Sequence, residues 1–275
     1  MSTEPSASNR IDRAFAGLAA RGRKGLLPYV TAGLPDLQTT EAVLEALAGL
    51  GVTAVELGLP YSDPIADGPT IQASFTRALA GGVRIRDIMA MVARVRQRVD
   101  LPLLAMGSYS IVHRVGPERF AAMARDAGLD GLIIPDLSLE EAPQTAALLA
   151  GHGLRLPMLV APTSGPQRRE RIARTSTGFV YYMSVAGITG ERAQLPSDLP
   201  EQVASLRGVS RLPVVVGFGI STPEQVRLVC SVADGVIIGS ALVRRMMEAQ
   251  DAGEPRDRIV QLAADSVRQW MTGLD

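Results

Sequence analysis

A carboxylate interrupts an apolar run at Glu56, within Val55-Glu56-Leu57-Gly58-Leu59. Two more, Asp63 and Asp67, follow in a loop of Ser, Asp, Pro and Gly that leads into a helical pattern. A lone ionisable group inside a buried strand is costly, so its presence usually has a specific cause. An acid within a strand, with further acids in the loop above it, is a way to assemble a site for proton transfer. Each residue also has a bland reading. Glu56 could belong to a buried ion pair, Asp63 could form the turn before Pro64, and Asp67 could cap a helix.

A second group of residues suits an anion. The apolar run 214–218 leads into Gly217-Phe218-Gly219-Ile220-Ser221, and the run 235–238 leads into Gly239-Ser240-Ala241 and a helical pattern. Glycines let backbone amides approach a phosphate, and a helix starting near Ser240 aims its N-terminus at the same point. Neither loop holds Arg or Lys, so backbone amides and the Ser240 hydroxyl would do the binding. Tight turns alone are the plain alternative. Asp136 ends another apolar run, although a capping box from Ser138 to Glu141 would by itself explain a polar strand end. Tyr181 alternates with Phe179 and Met183 on one face and could be simple core. His113 and His152 lack neighbouring ligand sets, so no metal site is expected. Arg94, Arg96 and Arg98 read as a solvated helix face. Lys24 is the sole lysine and precedes the first strand, which argues against Schiff-base or pyridoxal chemistry.

These groups need a scaffold that brings them together. Strand candidates lie at 26–31, 54–59, 103–106, 131–135, 158–161, 179–184, 214–218 and 235–238. Helical periodicity lies between them, for example at 40–50, 118–127, 140–150 and 223–231. Eight near-continuous apolar strands, each followed by a helix, predict a closed parallel (β/α)8 TIM barrel. An open doubly wound sheet is the alternative. An amphipathic segment, Arg10–Ala20, precedes the first strand as an extra N-terminal helix that could plug the bottom of the barrel. Residues 1–9 are expected to be a disordered tail and 10–275 a single domain. The loop 185–200 is rich in Gly, Thr and Ser and is a candidate lid. With 275 residues and zero formal net charge, the chain gives no electrostatic case for nucleic acid or an acidic membrane. No apolar run reaches the ~20 residues of a membrane span. One cysteine, Cys230, fits a reducing compartment, and the expected location is the cytoplasm.

The stretch from Glu56 to Gln72, Glu-Leu-Gly-Leu-Pro-Tyr-Ser-Asp-Pro-Ile-Ala-Asp-Gly-Pro-Thr-Ile-Gln, resembles the strand-two signature of the tryptophan synthase alpha subunit family. So do Pro28-Tyr-Val-Thr-Ala-Gly33, Pro135-Asp-Leu137, Ser184-Val-Ala-Gly-Ile-Thr-Gly190, Gly217-Phe-Gly-Ile-Ser221 and Gly239-Ser240. The similarity runs from about Arg10 to the C-terminal helix. It implies a cofactor- and metal-independent lyase that cleaves indole-3-glycerol phosphate to indole and glyceraldehyde 3-phosphate. Indole would then pass to a pyridoxal-phosphate-dependent beta subunit in an alpha2-beta2 heterotetramer. By this resemblance Glu56 is the acid–base residue, and Asp67 accepts the indole N–H. Tyr29, Tyr181, Thr189, Gly190, Phe218, Gly219, Gly239 and Ser240 contact substrate, and Asp136 supports the site. The chain departs from the family pattern at three places. Met106-Gly-Ser108-Tyr-Ser110-Ile111 replaces Met-x-Tyr-x-Asn-Pro, Leu34 stands where aspartate is common, and Ser138 stands where proline often follows Asp-Leu. The first departure falls where family members meet the beta subunit. Another phosphate-binding barrel enzyme, such as an isomerase, would share the glycine loops but not the strand-two signature. A barrel that only activates a partner would not need Glu56 and Asp67.

Overall fold

The structure is a computed structural model that describes residues 9–64, 67–184, 196–217 and 219–274. Helix α1 (Arg10–Ala20) precedes β1 (Gly25–Thr31), α2 (Leu37–Leu50), β2 (Val55–Gly58), α3 (Pro69–Ala80) and α4 (Ile85–Arg96). Then come β3 (Leu103–Met106), α5 (Tyr109–Val115), α6 (Pro117–Ala127), β4 (Gly131–Ile133), α7 (Ala142–Gly151) and β5 (Met158–Val160). The chain continues through α8 (Pro166–Thr175), β6 (Val180–Met183), α9 (Leu199–Val209), β7 (Val214–Gly217) and α10 (Pro223–Cys230). It ends with β8 (Gly235–Ile238), α11 (Ser240–Asp251) and α12 (Arg256–Met271).

All strand pairs are parallel, in the order β4-β3-β2-β1-β8-β7-β6-β5. An isolated parallel bridge between Gly131 and Arg155 brings the two ends of this sheet together. Leu132 N donates to Arg155 O at 2.8 Å and Arg155 N to Asp130 O at 2.9 Å. The result is a nearly closed (β/α)8 barrel, as expected. The short apolar strands are buried on both faces, as a barrel wrapped in helices requires.

Strand side chains alternate between the barrel interior and the helical shell. One buried cluster fills the interior: Leu27, Ala54, Leu104, Ile133, Phe179, Tyr181, Val215 and Ile237, joined by Ile11 and Phe15 of α1. The Phe15 and Phe179 ring centroids lie 5.6 Å apart. Helix α1 therefore plugs the bottom of the barrel.

Polar contacts hold the plug in place. Asn9, the last residue of the expected tail, caps α1 by accepting from Ile11 N, while its side chain donates to Asp130 O and Gly153 O. Residues 1–8 of that tail lie outside the described residues. Arg10 pairs with Asp130 at 3.0 Å, and Arg155 Nε donates to Asp12 at 2.9 Å.

Asp130 also overturns the reading of the arginine row. Arg94 does reach outward, to Glu41, and Arg98 does the same. Arg96 turns inward instead. Its guanidinium pairs with Asp130 at 3.1 Å and donates to Gly128 O and Leu101 O. Arg96 is the last residue of α4, and it can point under the barrel because its carboxylate partner sits at the bottom of β4.

Candidate active site

The alternation that places Ala54 in the interior also places Glu56 there, one layer higher. Tyr29 is level with Glu56 across the β1–β2 pairing, and Tyr181 stands one layer above Phe179. Glu56 is only 1% exposed, and neither carboxyl oxygen has a hydrogen-bond partner among the described residues. The ion-pair reading therefore fails. Burial raises its pKa from the ordinary carboxylate value to about 8, so it carries a proton at neutral pH. A protonated carboxylic acid at the upper layer of a barrel interior is poised as a general acid.

Asp67 lies in the loop above β2. The helix-cap reading fails too, because Gly68 occupies the N-cap of α3 and no side chain caps that helix. The loop is pinned from α3: Gln72 Nε2 donates to Asp67 O at 2.7 Å and to Pro64 O at 3.1 Å. Thr31 at the end of β1 bonds Ser74 at 2.8 Å, fixing α3 against the sheet. Tyr61 donates its hydroxyl to Asp67 Oδ2 at 3.1 Å. Burial pushes the Asp67 carboxyl up, the Tyr61 hydrogen bond pulls it down, and the charge of Asp136 pushes it up again.

The two buried tyrosines connect the carboxylates. Burial raises both phenols well above their ordinary pKa, and both also feel the charges of Glu56 and Asp67. All four groups thus share one mouth. Glycines make room for the rings. A Cβ on Gly58 would overlap the Tyr29 hydroxyl, and one on Gly217 would overlap that of Tyr181.

Across the mouth, α11 begins at Ser240 directly after β8. Gly239 is its N-cap, and no side chain caps the helix. Gly219, after β7, has φ +82°, a conformation that favours glycine. The first-turn amides of α11 thus begin at Ser240 without a side-chain cap, an arrangement that can accept an anion. Thr189, Gly190 and Phe218 lie outside the described residues, as does most of the expected lid. Lys24 is at the opposite end of the barrel, 3.6 Å from Asp234.

Asp136 has a different role from the one its neighbours suggested. Ser138 does accept from Glu141 N at 3.2 Å, but Asp136 takes no part in that turn. It accepts from Ser108 Oγ at 2.6 Å and Tyr109 N at 2.7 Å, fastening the β3–α5 loop to the end of β4. Ser108 is in turn the N-cap of α5.

A profile described as tryptophan synthase alpha chain matches residues 15–271. The alpha chain of Geobacter sp. (strain M21) is 47% identical over 244 residues, which is 89% of this chain and 91% of the relative. That of Gloeobacter violaceus is 48% identical over 257 residues, 92% and 91% of the two chains. The chain belongs to the tryptophan synthase alpha chain family. The crystal structure of the alpha subunit from Legionella pneumophila str. Paris superposes with a TM-score of 0.87 at 36% identity, covering 98% of this chain and 99% of that one. A chain of tryptophan synthase from M. tuberculosis in its aminoacrylate-bound form gives 0.83 at 34% identity, covering 97% and 100%.

Tryptophan synthase alpha chains are lyases that cleave indole-3-glycerol phosphate to indole and glyceraldehyde 3-phosphate, and they work with a beta subunit. Against the family pattern, Leu34 is fully buried in the outer core where an aspartate is common. Ser108, Ser110 and Ile111 line a groove of about 1070 Å3 with Tyr61, Asp63 and Asp136. Two residues with contacts to the Asp67 loop had gone unassigned in the sequence, Tyr61 and Gln72. Both lie within the strand-two signature, and only the folded loop shows what they hold.

Proposed function

We propose that this chain cleaves indole-3-glycerol phosphate through Glu56 and Asp67. The observation that carries the assignment is Glu56 buried inside the barrel with no partner for its carboxyl among the described residues, a setting that favours the protonated acid. Its proton goes to indole C3, giving an indolenine with positive charge centred on N1. Asp67 accepts the N1 hydrogen and offsets that charge. The Glu56 carboxylate then takes the proton of the adjacent hydroxyl. The bond from C3 to that carbon breaks, its electrons restore the aromatic ring, and the aldehyde forms. Glu56 ends the cycle protonated, so no cofactor or metal is needed.

Tyr29 and Tyr181 flank the reacting carbon, and Asp136 supports the rim. The phosphate rests on Gly219, Gly239 and Ser240, with Gly190 and Phe218, and Thr189 closes over Asp67. Residues 10–275 act as one domain in an alpha2-beta2 heterotetramer in the cytoplasm. Among the described residues no helix is long and apolar enough to cross a membrane. The groove beside Ser108, Ser110 and Ile111 is read as part of the surface that meets the beta subunit.

Indole release from indole-3-glycerol phosphate tests the reading. The chain alone is expected to release indole slowly, and its own beta subunit to accelerate it. Failure of the folded chain to release indole, with or without that partner, would overturn the assignment.

The phosphate site has its own test. Gly239 has φ −112°, outside the left-handed region, and a Cβ there would meet Tyr29 at an ordinary contact distance of 3.4 Å. Gly239→Asp would place a carboxylate on the first-turn amides of α11, capping the helix and repelling an anion. Titration should show affinity for glyceraldehyde 3-phosphate and inorganic phosphate reduced by about tenfold or more. Unchanged affinity for both would place the anion elsewhere.

A further inference from the structure

Asp67 sits on a loop, so the sheet does not fix its carboxylate as it fixes that of Glu56. Gln72 holds the loop by the backbone carbonyls of Pro64 and Asp67 and leaves the Asp67 side chain free to rotate. The side chain is held by Tyr61, whose hydroxyl donates to Oδ2 at 3.1 Å. Tyr61 is itself anchored. Its ring lies 5.4 Å from that of Phe75, tilted by 54°, and Phe75 is buried on α3. The helix that follows Asp67 thus orients the phenol that grips it.

The other groups whose charge or hydroxyl bears on this carboxylate come from several elements. They are Tyr29 on β1, Tyr181 on β6 and Asp136 after β4. Asp136 opposes ionisation of Asp67, whereas the Tyr61 hydrogen bond favours it.

We propose that Tyr61 is a positioning residue for the cleavage, holding Oδ2 of Asp67 so that Oδ1 is presented to the ring N–H of the substrate. This rests on the assignment of Asp67 given above. A carboxylate free to rotate must be ordered as charge develops on the ring, and one already held meets that charge without reorganisation. Tyr61 also lines the groove that holds Ser108, Ser110 and Asp136. An occupant of that groove would therefore bear on the Asp67 carboxylate through Tyr61, which bonds it, and through Asp136, whose charge it feels.

Tyr61→Phe removes one oxygen and keeps the ring on Phe75. Its kcat is expected to fall about tenfold, with KM and affinity for glyceraldehyde 3-phosphate within about twofold of the parent. The acid limb of the kcat profile, set by ionisation of Asp67, should move to higher pH, because a hydrogen bond that lowers its pKa is gone. In an Asp67→Asn background the same change should cost nothing further. An unmoved acid limb with near-parent kcat would remove Tyr61 from the machinery, and so would an equal loss in both backgrounds. Either result leaves Asp67 in place. Parent-like turnover by Asp67→Asn alone is the separate outcome that removes Asp67.

Discussion

Glu56→Gln is expected to fold as the parent does and to lose indole release by about 10⁴-fold or more. A single positioned acid or base supplies ~10²–10⁴-fold, and on the proposed assignment one carboxyl serves both the proton delivered to C3 and the proton taken from the hydroxyl. The amide matches the shape of the acid but can do neither. Its pH behaviour gives a second signature. Because burial raises the Glu56 pKa to about 8, the parent should lose activity as pH rises through that value. The same shift links to stability. The unfolded chain loses this proton near the ordinary value of 4.5, the folded chain only near 8. The stability that the protonated group contributes is therefore lost progressively as pH rises across that window. The Gln variant carries no such dependence, so its unfolding midpoint should equal or exceed that of the parent at pH 8. Turnover within about tenfold of the parent in a folded Glu56→Gln would end the acid–base assignment.

Asp67→Asn should retain glyceraldehyde 3-phosphate binding while kcat falls by roughly 10²–10³-fold, the scale seen when one group that stabilises developing charge is removed. The amide can still accept a hydrogen bond from the ring N–H, but it cannot balance the positive charge that grows on N1. The loop should survive the change, because Gln72 holds the Asp67 backbone carbonyl, which the substitution leaves intact. Measuring kcat alongside the affinity for the phosphate-bearing product separates the two roles. Parallel losses in both would mean that Asp67 shapes the site rather than acting on the ring.

Much of this architecture was legible because the strands are short, apolar and bounded by breakers. The limits of β3, β8 and α1 agree with the periodicity of the sequence. At β4 the apolar pattern continues to Pro135, but the strand ends at Ile133, because pairing stops before hydrophobicity does. Glu56 was legible because a charge in such a run violates the pattern. Its solitude was not, since an ion-pair partner could have come from any strand. Asp67 could not be told from a cap until Gly68 was seen to take that position. The solvated reading of Arg96 and the capping-box reading of Asp136 misled for the same physical reason. Their neighbours in sequence explained them well enough, while their real partners, Asp130 and Ser108, lie 34 and 28 residues away. Tyr61 was invisible as a functional group because an aromatic residue after Pro60 reads as packing, and it does pack, on Phe75.

Helix α1 is wedged under Leu27, Leu104 and Phe179, and that filled layer gives the barrel a fixed floor. Glu56 stands one layer above it. On the proposed assignment, a flat bicyclic ring held at the rim by its phosphate would be gripped from both ends, with its reacting carbon level with the acid. A ligand too short for the span would leave that carbon out of register, and one too long could not seat. The measure of the substrate would thus be taken from underneath, by a floor resting on a segment that precedes the first strand and carries none of the chemistry.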